Sequence, residues 1–132
     1  MLILLTSILI GHFWPPNGIL ATPLVITVMI GLILFTDVDF NIFVKIFLSY
    51  LFIGLNDINI KLFAGGLHDM EGIGWIHMLL FIGLIPCFIM LLIAVYQDKV
   101  FNIWIKILGV LMFILMIYIH LEIFETLGVH ML

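Results

Sequence analysis

Charge is scarce in this sequence, and arginine is missing from it altogether. The 132 residues carry four lysines and eight acidic residues, for a formal net charge of −4. A charged fraction of 9%, where soluble domains have about 25%, excludes an ordinary water-soluble domain. The chain has no basic run and no polar low-complexity tract, so we expect no nucleic-acid partner.

Several chemical motifs are also missing. The single cysteine, Cys87, excludes an intramolecular disulfide and a CxxC metal site. There is no glycine-rich phosphate loop ending in Lys-Ser/Thr and no HExxH motif. Ser7 and Ser49 lie in apolar runs without a neighbouring base, so the sequence assigns no catalytic residue.

Apolar residues dominate instead, at 66% of the chain and a mean hydropathy of +1.45. A membrane-spanning helix needs about 20 mostly apolar residues. The apolar runs predict helices at approximately 2–13, 19–36, 40–56, 75–97 and 101–124. The first run is short for a span. We therefore predict an all-α membrane protein, a polytopic bundle of four to five transmembrane helices in one integral membrane domain, 1–132, with short loops and one longer interfacial loop, 57–74, on the outer face.

The segment Trp14–Gly18 contains two prolines and Asn-Gly, a combination typical of a turn. We expect it to join the first two helices in a tight hairpin. The start of the chain has no basic region and no small-residue cleavage pattern, so we expect it to be retained rather than removed as a signal peptide.

The lysines are distributed unevenly between the two predicted faces. Lys45, Lys99 and Lys106 fall on one face, whereas Lys61 falls on the other. The positive-inside rule predicts that the first face and the N-terminus are cytoplasmic in a prokaryotic inner membrane. Lys45, Lys106 and Trp104 are predicted to anchor the cytoplasmic interface.

A weak internal repeat accompanies these lysines. Residues 40–47 and 101–108 are identical at most positions, and each segment follows a short acidic loop. Both are predicted to start a helix at the cytoplasmic interface, where Asp or Asn caps the free amides. Duplication would make two parallel hairpins, while convergence under the same interfacial constraints is the favoured explanation of so short a match.

The outer face collects all five histidines and most of the acidic residues. Imidazole and carboxylate are ligands that zinc uses, so we consider a metal site formed by His68, His77, His120 and Glu122; no cofactor is otherwise favoured. The candidate outer-face cluster comprises His68, Asp69, Glu71, His77, His120, Glu122 and Glu125.

Three other interpretations of this cluster remain open. The residues could be solvated caps, or they could serve a proton-linked role because histidine titrates near physiological pH. They could also belong to a membrane enzyme with His68 and Asp69 or Glu71 as acid and base. No costly polar group is evident at mid-span, which disfavours autonomous transport.

The favoured function is a non-catalytic accessory or assembly subunit of a larger inner-membrane complex. Its expected partners are the lipid bilayer and either other membrane subunits or further copies of the chain. The alternative is a small cation- or proton-handling carrier, or a metal-binding membrane enzyme, using the outer His/carboxylate cluster.

Overall fold

The computed structural model describes residues 2–36, 40–63 and 70–128, which form helices and short connections without a strand. Helices α4, α5 and α6 are each long and apolar enough to cross a membrane, which is consistent with a helical membrane protein. The helices are α1 (Leu2–Phe13), α2 (Pro15–Leu20), α3 (Thr22–Phe35), α4 (Ile42–Phe63), α5 (Met70–Gln97) and α6 (Ile103–Ile123).

The Pro-Pro-Asn-Gly segment is helical, which corrects the predicted turn. Helix α2 begins at Pro15, because prolines in the first turn of a helix need no N–H donor. The amide of Ala21 donates to the carbonyl of Asn17 (3.0 Å), and that of Val25 donates to Ala21 (2.9 Å). Hydrogen bonds therefore continue from α2 into α3, and residues 15–35 form an almost continuous helix.

Helix α1 packs against α2 where two glycines meet. A Cβ atom at Gly18 would collide with the backbone of Gly11, so a larger residue at Gly18 would push the two helices apart. The two helices can approach this closely only because glycine has no side chain. The chain thus reverses direction near Trp14, as the predicted hairpin requires, with a much shorter turn than the sequence indicated.

Helices α4 and α5 extend into the predicted outer loop, 57–74. Helix α4 continues to Phe63, and α5 begins at Met70. Asp57 and Lys61, which were predicted to lie in this loop, instead belong to α4 and face the interior of the bundle, where they pair across one helical turn. The loop prediction was therefore wrong at both edges, and its remainder, 64–69, lies outside the described residues.

The main apolar core lies between α3, α4, α5 and α6. Helix α3 packs closely on α5 at Gly83, where a Cβ atom would come within 2.8 Å of the Cα atom of Pro23. Small residues promote such contacts between membrane helices, whose association depends on van der Waals packing. The most deeply buried core side chains include Ile26, Ile30, Ile53, Leu80, Cys87 and Leu91.

Helix α6 lies at the edge of the bundle, with 17% of its most apolar 18-residue window buried. It contacts α4 at Gly109, where a Cβ atom would lie 3.0 Å from Cδ1 of Ile46. Phe43 and Phe101 make an edge-to-face ring contact at 5.4 Å near the start of α6. Most of the remaining surface of α6 is apolar and exposed.

The bundle has two chemically different ends. We call the end that contains the starts of α4 and α6 the Lys45 end. The His120 end contains the C-terminal ends of α4 and α6 and the N-terminal end of α5. These names carry no assignment to a side of the membrane.

Candidate functional site

Three ionisable side chains meet inside the His120 end and form what we call the buried ionic cluster: Asp57, Lys61 and His120. Nζ of Lys61 lies 2.7 Å from Oδ2 of Asp57, and Nε2 of His120 lies 3.0 Å from the same oxygen. All three residues are at least 97% buried. One carboxylate oxygen thus connects α4 to α6 through a histidine, and it is shared with a lysine on its own helix.

The geometry determines the hydrogen-bonding roles. The ammonium group of Lys61 is a donor without acceptor capacity, so Asp57 accepts from it as a carboxylate. Because the same oxygen faces His120, Nε2 of that imidazole must carry a proton and donate it. In the neutral ring this leaves Nδ1 as the free acceptor. Nδ1 lies against α4, 3.2 Å from where a Cβ atom at Gly54 would stand.

Lys61 makes a second bond that fixes the end of α6. Its Nζ donates to the carbonyl of Phe124 at 2.9 Å, just after the helix ends at Ile123. The last carbonyls of a helix lack intrahelical donors and carry partial negative charge, so a cation there is favourable. The ring of Phe124 also packs on His120, with centroids 4.8 Å apart. Lys61 therefore binds both the carboxylate of Asp57 and the C-terminal end of α6.

A second polar contact lies beside the cluster, on the side of α4 that meets α1. The hydroxyl of Ser7 donates weakly to Oδ1 of Asn56 over 3.5 Å, and both residues are buried. Four buried polar atoms have no hydrogen-bond partner among the described residues: Oγ1 of Thr22, Nδ2 of Asn56, Oδ1 of Asp57 and Nε2 of His77. Unpaired buried groups are costly and rare, so their concentration at this end indicates a polar interior.

His77 on α5 adds a fourth titratable group to this end. It is half-buried, and it lies close enough to Lys61, Asp57 and Glu125 to interact with their charges. The three long apolar helices thus contribute ionisable groups to one end of the bundle: Asp57 and Lys61 from α4, His77 from α5 and His120 from α6.

The predicted outer-face cluster is divided in the structure. His68 and Asp69 lie outside the described residues. Glu71, Glu122 and Glu125 are exposed, whereas His120 is buried. Helical geometry separates His120 from Glu122, because residues two apart on a helix do not share a face.

The proposed metal ligands do not form a centre in the described part of the chain. No group of three or more His, Cys, Asp or Glu side chains there could hold a metal ion. Nε2 of His120 is already occupied by Asp57, and Glu122 lies on the exposed face of α6. The role of His68 in such a centre remains a prediction on a residue that the structure does not describe.

Sequence reasoning missed the central residue of the cluster. Asp57 was interpreted as an acid of the outer loop, and Lys61 as the one lysine of that face. The available signal was their spacing, since an acidic residue four positions before a lysine is typical of a paired helical face. The pairing partner on α6, His120, is 63 positions away in the chain and could not be identified by spacing.

At the Lys45 end, two lysines donate hydrogen bonds to backbone carbonyls instead of pairing with carboxylates. Nζ of Lys45 donates to Leu34 and Thr36, each at 3.2 Å. Nζ of Lys106 donates to Tyr96 at 3.3 Å and also to the carbonyl of Asp98. Each lysine therefore caps the end of the helix that precedes its own.

The two copies of the weak repeat are thus equivalent in structure as well as in sequence. Oδ1 of Asn102 accepts from the amide of Ile105 at 3.0 Å, and Oδ1 of Asn41 accepts from Phe43 at 2.9 Å. Both asparagines cap the start of a helix, as predicted. Trp104, the third predicted anchor, is 76% exposed.

The layer between the two ends is apolar in the described residues. Its one fully buried hydroxyl, on Ser49, donates to the carbonyl of Lys45 in its own helix at 2.8 Å. The hydroxyl of Thr27 likewise donates to Pro23 at 2.6 Å. Both groups are satisfied locally, so they do not extend the buried ionic cluster toward the Lys45 end.

Comparison with known proteins returned no family model, no curated protein and no solved structure that matches this chain.

Proposed function

We propose that this chain is a small proton-handling membrane protein in which the buried ionic cluster binds and releases a proton. The observation that carries the proposal is the completely buried carboxylate of Asp57, placed between Lys61 and His120. Ionisable groups inside a membrane bundle are expensive, and they mark proton relays and ion pathways more often than they serve packing.

The energetics support a role beyond holding helices together. Replacing a buried ion pair by well-packed apolar residues is often neutral or stabilising. Leucine or methionine would therefore join α4 to α6 at least as well as Asp57 and Lys61 do. The unpaired Oδ1 of Asp57 also leaves an acceptor available inside the cluster.

The histidine is the group that would exchange the proton. Nε2 of His120 donates to Asp57, so an arriving proton would bind Nδ1 and change the formal charge of the cluster from zero to +1. The charged or titratable groups facing it are Asp57, Lys61 and Tyr50 on α4. His77 lies close enough to interact with the charges of Asp57, Lys61 and Glu125. The proton would come from the His120 end, because the apolar layer separates the cluster from the Lys45 end.

The proposed topology follows from the lysines. Lys45 and Lys106 lie at the same end of the bundle, and we place that end in the cytoplasm of a prokaryotic cell. The almost continuous helix 15–35 would then cross the inner membrane as a fourth span beside α4, α5 and α6. The His120 end would face outward and receive the proton from that side.

Charge displacement after a pH jump tests the proposal directly. Proteoliposomes that contain the protein are adsorbed on a solid-supported membrane, and the external pH is changed rapidly. We expect a transient displacement in the wild type and in Glu122→Gln, whose carboxylate is exposed, and none in Asp57→Asn or His120→Gln. Each variant is first checked for helicity and for a monodisperse gel-filtration profile. A folded Asp57→Asn protein that retains the full displacement contradicts the proposal.

A second candidate function is that of a non-catalytic subunit of a larger inner-membrane complex. Its support is the position of α6, whose most apolar window is 17% buried, against 39% for each of α4 and α5. A partner helix would cover this surface, although lipid covers it equally well. Gentle extraction from the native membrane followed by mass spectrometry tests this function: stoichiometric protein partners support it, and a chain that purifies alone contradicts it.

A further inference from the structure

An open groove lies between helices α5 and α6 near the Lys45 end. The groove has a volume of about 540 Å³ and is almost entirely apolar. Its walls include Leu92, Val95 and Tyr96 from α5 and Ile107, Val110 and Leu111 from α6. Leu92, Tyr96, Ile107 and Leu111 are exposed, so the groove is open on the outer surface of the bundle.

One cationic side chain lies at the mouth of this groove. Lys106 is among its lining residues, and its ammonium group donates to the carbonyls of Tyr96 and Asp98. An ammonium group has three N–H donors, so one donor remains for another acceptor. Lys99, which is exposed in the connection between α5 and α6, adds a second positive charge at this end.

Among the described residues, Asp98 is the acidic residue beside Lys106, and its carboxylate faces the backbone of the connection between α5 and α6. Oδ1 of Asp98 accepts from the amides of Val100 and Phe101, at 2.9 and 3.1 Å. In the part of the chain that the structure describes, Lys99 and Lys106 carry two positive charges beside this single acidic charge, so the described mouth of the groove is cationic. An apolar groove below a cationic mouth is complementary to an acyl chain below an anionic headgroup.

We propose that this groove binds a phospholipid with an anionic headgroup. The phosphate accepts from the third N–H of Lys106, and the upper part of one acyl chain lies between α5 and α6. The helix rises about 7.5 Å between Lys106 and Leu111 at roughly 1.5 Å per residue, so the groove covers the first carbons of the chain next to the glycerol. Free phosphate would fill the mouth but leave the apolar walls uncovered.

The other lysine of the repeat provides a natural contrast. The cavity beside Lys45 measures about 200 Å³, and its exposed lining is half polar. It is lined by Asp98 and Gln97 as well as by apolar residues. This smaller and more polar cavity gives an acyl chain less apolar wall to contact, so we expect Lys45 to contribute little to lipid selectivity.

Native mass spectrometry of the purified full chain tests the proposal. The protein is titrated with phosphatidylglycerol and, separately, with phosphatidylcholine. We expect the wild type and Lys45→Gln to retain phosphatidylglycerol preferentially and Lys106→Gln to retain it about tenfold less, since a charge-assisted hydrogen bond is lost. Val110→Phe, which fills the groove and keeps the lysine, should weaken retention of both lipids.

Other outcomes overturn the proposal. Equal retention of the two lipids by the wild type, or equal loss in Lys45→Gln and Lys106→Gln, removes the selective site. Displacement of the lipid by inorganic phosphate identifies a simple anion site. A lipid-free dimer would indicate that a second copy of the chain covers the groove. None of these results depends on the buried ionic cluster, which lies at the opposite end of the bundle.

Discussion

The two ends of the bundle accommodate lysine in opposite ways. Lys61, at the His120 end, is completely buried and pairs with a carboxylate. Lys45 and Lys106, at the other end, are half-buried and donate to backbone carbonyls at the ends of preceding helices.

The difference reflects the access of each ammonium group to water. A half-buried lysine keeps part of its hydration, so helix-end carbonyls with partial charges are sufficient partners. A fully buried lysine loses its hydration and needs a full negative charge nearby. Asp57 provides that charge, and His120 then satisfies the same carboxylate oxygen. The His120 end should accordingly be the part of the bundle that is most sensitive to single substitutions.

The largest effect is expected for Asp57→Asn. The substitution keeps the size of the side chain but leaves the ammonium group of Lys61 buried without a counter-charge, at a cost of about 3–5 kcal/mol. Unfolding in mixed micelles, followed by the fluorescence of the three tryptophans, measures the change in the free energy of unfolding. Glu122→Gln, an exposed change on α6, serves as the control and should cost below about 0.5 kcal/mol. If Asp57→Asn also cost below about 0.5 kcal/mol, the contrast between the two ends of the bundle would be wrong.

Substitution of the buried lysine should lower the free energy of unfolding more than substitution of either half-buried lysine. Lys61→Met leaves the carboxylate of Asp57 buried without its cation and removes the hydrogen bond to the C-terminal end of α6. It should therefore lower the free energy of unfolding by about 3 kcal/mol or more. Lys45→Met and Lys106→Met each lose two bonds to carbonyls that water reaches, and each should cost about 1 kcal/mol. The same micelle unfolding assay compares the three variants, and equal costs would show that burial does not distinguish the two ends.

Two glycines extend the comparison to packing. At Gly54 a new methyl group would press on the ring of His120 at 3.2 Å, and that ring is fixed by its bond to Asp57. At Gly109 the methyl group would meet the flexible end of Ile46 at 3.0 Å and the edge of the Phe43 ring at 3.3 Å, and neither group is fixed by a hydrogen bond of its side chain. Gly54→Ala should therefore cost about 1–3 kcal/mol and Gly109→Ala less.

Gly74→Ala is the matched control for these variants, because no atom lies within 4 Å of its added Cβ atom. It should leave the thermal unfolding midpoint unchanged or raise it slightly, since alanine favours helix more than glycine does. If Gly109→Ala lowers the midpoint more than Gly54→Ala, the ring of His120 is not the rigid partner that the structure indicates.

The smallest effect is expected at the helix starts of the Lys45 end. Asn102→Ala removes the acceptor for the amide of Ile105 and should cost about 1 kcal/mol. Hydrogen exchange of the first turn of α6, measured by mass spectrometry, should rise in this variant and stay constant in the rest of the helix. Unchanged exchange in that turn would show that water replaces the cap without loss.

Much of the fold could be predicted from local sequence. The apolar runs around 75–97 and 101–124 lie within or close to α5 and α6, because a long apolar stretch in a charge-poor chain is stable as a helix in a membrane. Prediction failed at Asp57, which was placed in a loop, since its polarity was interpreted as exposure. Pro15 and Pro16 were wrongly predicted to form a turn, because a proline that ends one helix can also begin the next.

The composition and the order of the apolar runs predicted a helical protein with its charges near the helix ends, because uncompensated charge is expensive away from water. The short motif shared by 40–47 and 101–108 also determined how α4 and α6 begin, since caps and interfacial lysines act within a few residues. Only the tertiary structure decided that Asp57, Lys61 and His120 form one site. Their contact joins residues 63 positions apart across two helices, and a buried charge is stable only where the fold brings its partner.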